Sequence, residues 1–125
     1  MVSGILIKGK KFVITGGSGF IGSNLVYELY QDNDITVIDD ISTGYLENIY
    51  ELVEKKLIKF IKGSITDQKL LKEYFTGADY VLHQGAIPSV PRSINNPMAT
   101  NKANIDGTLN VLIAAKDCNV EKVVL

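Results

Sequence analysis

Gly16-Gly17-Ser18-Gly19-Phe20-Ile21-Gly22 stands between a short apolar run, Phe12-Val13-Ile14 closed by Thr15, and a stretch in helical period from Phe20 to Tyr30. In that stretch Ile21, Leu25 and Leu29 recur at helical spacing, with Val26 and Tyr30 beside them. Gly16, Gly19 and Gly22 are spaced G-x-x-G-x-x-G. A chain that turns sharply out of a strand, lets a diphosphate approach its main chain and packs the next helix tightly on the sheet disfavours a Cβ at each step. Free amides at the helix start then face the phosphates, helped by the helix dipole. Glycines alone are weak evidence, but here a strand precedes them, a helix follows, and Asp39 ends the second strand about 20 residues further on. A carboxylate there takes ribose hydroxyls and repels a 2′-phosphate, which favours NAD over NADP. The alternative is an ordinary glycine-rich turn with a solvated Asp39-Asp40 pair; the concurrence of the three features favours a dinucleotide.

On either side of this loop, short apolar runs alternate with amphipathic stretches, as in repeated βα units around a parallel sheet. Ile35-Thr36-Val37-Ile38 reads as a doubly covered second strand. A polar helix is expected around Leu46–Lys55 and a third strand near Ile58–Ile61. Asp67 reads as an N-cap, because the apolar pairs Leu70/Tyr74 and Leu71/Phe75 begin just after it. Tyr80-Val81-Leu82 is a fourth strand. A last helix, within Pro97–Asn119, carries the stripe Ile105, Leu109, Leu112 and Ile113, and Val123-Val124-Leu125 begins a fifth strand. The expected architecture is a doubly wound α/β fold of Rossmann type, strand order 3-2-1-4-5, with the dinucleotide across the carboxyl ends at the switch between strands one and four. Because the chain stops inside an apolar strand, residues 1–125 are expected to be the N-terminal, NAD-binding part of a longer protein, truncated at the fifth strand.

Composition agrees with a single domain. The 125 residues are 46% hydrophobic and 22% charged, with 13 Lys+Arg against 14 Asp+Glu. That balance leaves no basic surplus for nucleic acid or anionic lipid. One cysteine, Cys118, excludes an internal disulfide and points to a reducing cytoplasm. No apolar run approaches the roughly 20 residues of a membrane helix, and Lys8, Lys10 and Lys11 interrupt the one candidate leader. A single His and a single Cys form no metal-ligand cluster.

On the glycine spacing after Thr15, Val37-Ile38-Asp39-Asp40, Ser42-Thr43-Gly44, His83-Gln84-Gly85-Ala86 and Asn104-Ile105-Asp106-Gly107-Thr108, the chain resembles the extended short-chain dehydrogenase/reductase family, and within it the NAD-dependent nucleotide-sugar epimerases and dehydratases. Ser89-Val90-Pro91-Arg92-Ser93 followed by Asn96-Pro97 resembles the UDP-glucose/UDP-N-acetylglucosamine 4-epimerase branch. The resemblance implies that Gly16, Gly19, Phe20 and Ile21 frame the pyrophosphate, and that Asp39 holds the adenosine ribose with Asp40, Ser42, Thr43 and Gly44 around it. It further implies that Ser64 and Ile65 border the adenine, that Gln84, Gly85 and Ala86 run beside the nicotinamide ribose and phosphates with Asn104 nearby, and that Ser89 and Val90 line the sugar-nucleotide entrance. Two departures stand out. Ser64 occupies a position commonly acidic, so the adenine amino group is left to a weaker bond or to Asp67 through water. Asn24 replaces a frequent histidine at a position expected to face helix and sheet.

The resemblance implies catalysis by a tyrosine and a lysine four residues later, the phenol's pKa being lowered by the positive charges beside it. The residues four positions after Tyr27, Tyr30, Tyr45, Tyr50, Tyr74 and Tyr80 are Gln31, Asp34, Ile49, Glu54, Ala78 and Gln84, none of them lysine. No catalytic residue is therefore assigned, and the fragment alone is expected to be inactive. The implied activity of a full-length parent is NAD-dependent epimerisation at C4 of a UDP-hexose. The alternatives are a nucleotide-sugar 4,6-dehydratase or decarboxylase, or a non-catalytic NAD-binding module. A homodimer is expected through the helix from Pro97 to Asn119 rather than the polar helix at Leu46–Lys55. His83 reads as a packing or strand-end hydrogen-bonding residue, Cys118 as an inert, partly buried thiol, and Arg92 as either a partner of substrate phosphate or a surface residue.

Overall fold

The computed structural model describes residues 7–17, 19–40, 46–84 and 97–125. Among them five strands form one parallel sheet: β1 (Lys11–Thr15), β2 (Asp34–Asp39), β3 (Lys59–Lys62), β4 (Tyr80–His83) and β5 (Lys122–Val124). Their order is β3-β2-β1-β4-β5, the order expected from the sequence. The helices among the described residues are α1 (Phe20–Leu29), α2 (Tyr50–Glu54), α3 (Gln68–Phe75) and α4 (Pro97–Asp117).

Both faces of the sheet are covered, which is why its central strands read as continuous apolar runs. Alternate residues of β1 point to opposite faces: Val13 joins a core with Leu71 and Phe75 of α3 and Val111, Ala114 and Ala115 of α4. Phe12 and Ile14 join the other core, with Val26 of α1 and Leu52 of α2. Ile35 to Ile38 are all buried, as a doubly covered strand requires. Full burial of side chains such as Leu71 and Phe75 contributes about 1.5–3 kcal/mol each. The edge strand β3 exposes Lys59 and Lys62, charges that discourage pairing with another chain.

Asp67 caps α3 as expected, its carboxylate accepting the Leu70 amide at 3.1 Å. Helix α4 ends in a Schellman arrangement: Asn119 takes φ 57, its N–H donates to Lys116 O, and Val120 N–H donates to Ala115 O.

Three readings differ. The Leu46–Lys55 helix is two pieces, a 3-10 turn Leu46–Asn48 and the short α2, pinned by buried Ile49 and Leu52. Asn24 is exposed rather than facing helix and sheet, because Val26 and Ser23 occupy the buried side of α1. The stripe Ile105, Leu109, Leu112 and Ile113 is 39–58% exposed. The face of α4 that meets the sheet is instead Gly107, Val111, Ala114 and Ala115, small residues that let the helix sit close. A Cβ on Gly107 would overlap the end of Ile65.

Among the described residues no helix is long and apolar enough to cross a membrane.

Candidate functional site

At the carboxyl edge of the sheet, the chain leaves β1 through Gly16, whose φ of 75° lies in the left-handed region that favours glycine. Its N–H donates to Ile38 O at 2.9 Å, which locks the turn onto the end of β2. Gly19 then serves as the N-cap of α1, its N–H donating to Gly16 O at 3.1 Å. Gly22, one turn into the helix, is buried against the same loop: a Cβ there would overlap Gly16 O and lie 2.8 Å from Gly17 Cα.

This packing brings the start of α1 onto the strand end with its amides outward. Gly19 provides no side-chain cap, and the first turn holds no acidic residue. Among the described residues no side chain caps this end, and the N–H groups of Phe20, Ile21 and Gly22 are suited to receive an anion, which the helix dipole favours. Among the described residues a Cβ on Gly19 would meet nothing closer than Gly16 O at 3.5 Å. Ile21 is 62% exposed at this end of the helix.

Asp39, the last residue of β2, is half-buried one strand away, and Asp40 beside it is exposed. Amides suited to a diphosphate and a carboxylate suited to a sugar diol thus share one edge of the sheet, the donor set a dinucleotide requires.

Beyond β3, Gly63 N–H donates to Asp39 O, and Ser64 Oγ is engaged locally with Thr66 Oγ1 at 2.7 Å while accepting the Thr66 amide. Ile65 is half-buried under Gly107, and its carbonyl accepts Asn110 Nδ2 at 3.2 Å. The segment carrying Ser64 and Ile65 is thereby tied to α4.

On the other side of β1, Gln84 N–H donates to Thr15 O at 2.8 Å and to Thr15 Oγ1 at 3.1 Å. His83 is buried with both ring nitrogens engaged: Nδ1 lies 2.6 Å from Thr15 Oγ1 and Nε2 3.2 Å from Thr108 Oγ1. Burial holds its pKa below the usual 6.5.

The structure therefore brings Gly16, Gly19, Phe20, Ile21 and Asp39 together at the carboxyl ends of β1 and β2, and places Gln84 at the end of β4 on the other side of β1. Asn104 falls on α4, on the same helix as Thr108. Ser42, Thr43, Gly44, Gly85, Ala86, Ser89, Val90 and Arg92 lie outside the described residues. The sequence reading gave no role to Thr15, Thr108 or Asn110, whose partners lie far off in the chain; the signal available was a small hydroxyl residue ending β1 beside a histidine ending β4. Cys118 is half-buried, its thiol 3.4 Å from Lys72 O. Among the described residues no group of three or more His, Cys, Asp or Glu could hold a metal.

Comparison with known proteins gives a consistent result. The NAD dependent epimerase/dehydratase family matches residues 12–125. The UDP-glucose 4-epimerase of Mycolicibacterium smegmatis is 34% identical over 116 residues, covering 90% of this chain and 36% of that protein. A solved UDP-N-acetylglucosamine 4-epimerase from Methanobrevibacter ruminantium, in complex with UDP-N-acetylmuramic acid, is 40% identical with a TM-score of 0.86, covering 94% of this chain and 37% of that one. A dTDP-glucose 4,6-dehydratase from Streptomyces venezuelae, solved with NAD bound, is 31% identical with a TM-score of 0.84, covering 90% of this chain and 38% of that one. The chain thus spans a little over a third of the length of these relatives.

Proposed function

Since this chain belongs to the NAD dependent epimerase/dehydratase family and its cofactor is NAD, we propose that it is the cofactor-holding part of an enzyme that epimerises a UDP-hexose at C4. The observation that carries the reading is the 40% identity to a UDP-N-acetylglucosamine 4-epimerase over 94% of the chain. When bound, NAD supplies a hydride acceptor that can return the hydride to the sugar.

The chain's own residues do the holding. The amides of Phe20, Ile21 and Gly22 receive the pyrophosphate, with Gly16 and Gly19 keeping the loop free of side chains. Asp39 accepts the hydroxyls of the adenosine ribose, with Asp40, Ser42, Thr43 and Gly44 around it. Ser64 and Ile65 border the adenine; because Ser64 Oγ is already paired with Thr66, its grip on the adenine amino group is weak. Gln84, Gly85, Ala86 and Asn104 run beside the nicotinamide half, and Ser89 and Val90 flank the UDP-sugar. No tyrosine here has lysine four residues on, so the chemistry belongs to a catalytic pair outside these 125 residues.

The test is product analysis. A polypeptide that continues residues 1–125 into the rest of such an enzyme, given NAD and UDP-glucose, forms UDP-galactose, and the 125-residue chain alone forms none. A 4-keto-6-deoxy sugar instead would establish the second reading, a 4,6-dehydratase, which the likeness to the Streptomyces venezuelae enzyme favours. Turnover by the 125 residues alone would contradict the division of labour.

The same reading extends to assembly and location. The exposed face of α4 formed by Ile105, Leu109, Leu112 and Ile113 is where a second copy packs in a homodimer, burying a stripe that the sheet does not. Sedimentation showing only monomer at high concentration would remove that element. A lone cysteine suits the cytoplasm.

A further inference from the structure

Three elements meet at His83. It ends β4, is buried, and is bonded on one side to Thr15 at the end of β1 and on the other to Thr108 of α4. Thr15 Oγ1 also accepts the amide of Gln84, so the strand ends and the helix form one connected chain of polar groups. Each member adjoins a segment of the site: Thr15 precedes Gly16, His83 precedes Gln84, and Thr108 lies one helical turn beyond Asn104. Nothing in the proposed reaction uses this imidazole. An imidazole placed among apolar groups is costly unless both nitrogens are paired, and here both are.

We infer that His83 is a positioning residue for the cofactor: linked to Thr15 and Thr108, it fixes α4 against the ends of β1 and β4 and so sets the main chain on both sides of the switch point. The inference rests on the NAD reading. A neutral imidazole offers one donor and one acceptor, and threonine hydroxyls serve in either sense, so the chain runs in one direction with either tautomer. A protonated ring would donate to both threonines at once, and the chain would no longer run in one direction. Thr15 faces the ring from β1 and Thr108 from α4; burial alone moves its pKa, with no charged side chain contributing among the described residues.

The experiment compares Thr108→Val, which keeps the shape and removes the hydroxyl, with Thr108→Ser, which keeps the hydroxyl. NAD affinity is measured by calorimetry at alkaline pH beside the melting temperature of NAD-free protein. Loss of a hydrogen bond to a buried group predicts about tenfold weaker NAD binding for Thr108→Val, and recovery to within about twofold of the original for Thr108→Ser. Wild-type affinity in Thr108→Val, or a Thr108→Ser variant as weak as Thr108→Val, overturns the inference while leaving the NAD reading intact. Absence of NAD binding by the unaltered protein is a different result, which removes both. If Thr108→Val does not fold, the ring nitrogen spectrum of His83, the only histidine, decides on the unaltered protein. A single fixed tautomer whose signals shift on adding NAD supports the inference; a ring titrating near 6.5 and indifferent to NAD overturns it.

Discussion

Gly22 of helix α1 rests on Gly16 of the preceding turn so closely that a Cβ on Gly22 would overlap the Gly16 carbonyl oxygen. The contact fixes where the helix begins relative to the strand, and with it where the free amides point. Gly22→Ala should therefore act on stability and binding together. Overpacking of this kind costs about 1–3 kcal/mol. Urea unfolding should show the lower midpoint, and NAD affinity should fall by more than the population of unfolded chain explains. Unchanged affinity in a folded Gly22→Ala protein would mean that the close approach is not what aims the amides.

Asp39 ends β2 at the level where Gly16 turns away from β1. Its carboxylate is placed to accept a diol and to repel a phosphate on the same sugar. Asp39→Ala should weaken NAD binding by about tenfold, the scale of a charged hydrogen bond, and should narrow the preference for NAD over NADP. Competition between the two dinucleotides checks this, and a preference that survives the substitution contradicts it.

The buried His83 ring gives stability a defined pH dependence. Its native pKa is held below 6.5 by burial, so between 6.5 and that lowered value the unfolded chain binds more protons than the native one. The contribution is fully present above about pH 6.5 and is lost as pH falls through the native pKa. Urea midpoints measured downward from about pH 7.5 should fall through this window, and His83→Gln should flatten that part of the slope.

Asp67 begins α3 by accepting the Leu70 amide, and α3 in turn delivers Leu71 and Phe75 to the core. Asp67→Ala should cost about 0.5–2 kcal/mol, read from urea unfolding.

Much of this was legible in the sequence, for identifiable reasons. Apolar runs alternating with helical stretches gave the strand order, because a parallel sheet covered on both faces demands such runs at β1, β2 and β4. Asp67 was legible as a cap because its partner is three residues away. The orientation of α4 was not: Gly107, Ala114 and Ala115 face the sheet because they are small, and periodicity weights the larger Ile105, Leu109 and Leu112 that face outward. Ile49 and Leu52 anchor residues 46–55 more firmly than their polar surface suggests, at the cost of dividing the helix. The bonds of His83 join residues 68 and 25 positions apart, a closeness that exists only after the sheet has formed.

Calorimetric titration of the protein with NAD, alongside the Gly22→Ala and Asp39→Ala variants, decides whether this loop and carboxylate hold a dinucleotide. One saturable site per chain is expected, weakened by both substitutions and tighter for NAD than for NADP. No heat of binding from well-folded protein, or binding indifferent to both substitutions, would contradict it.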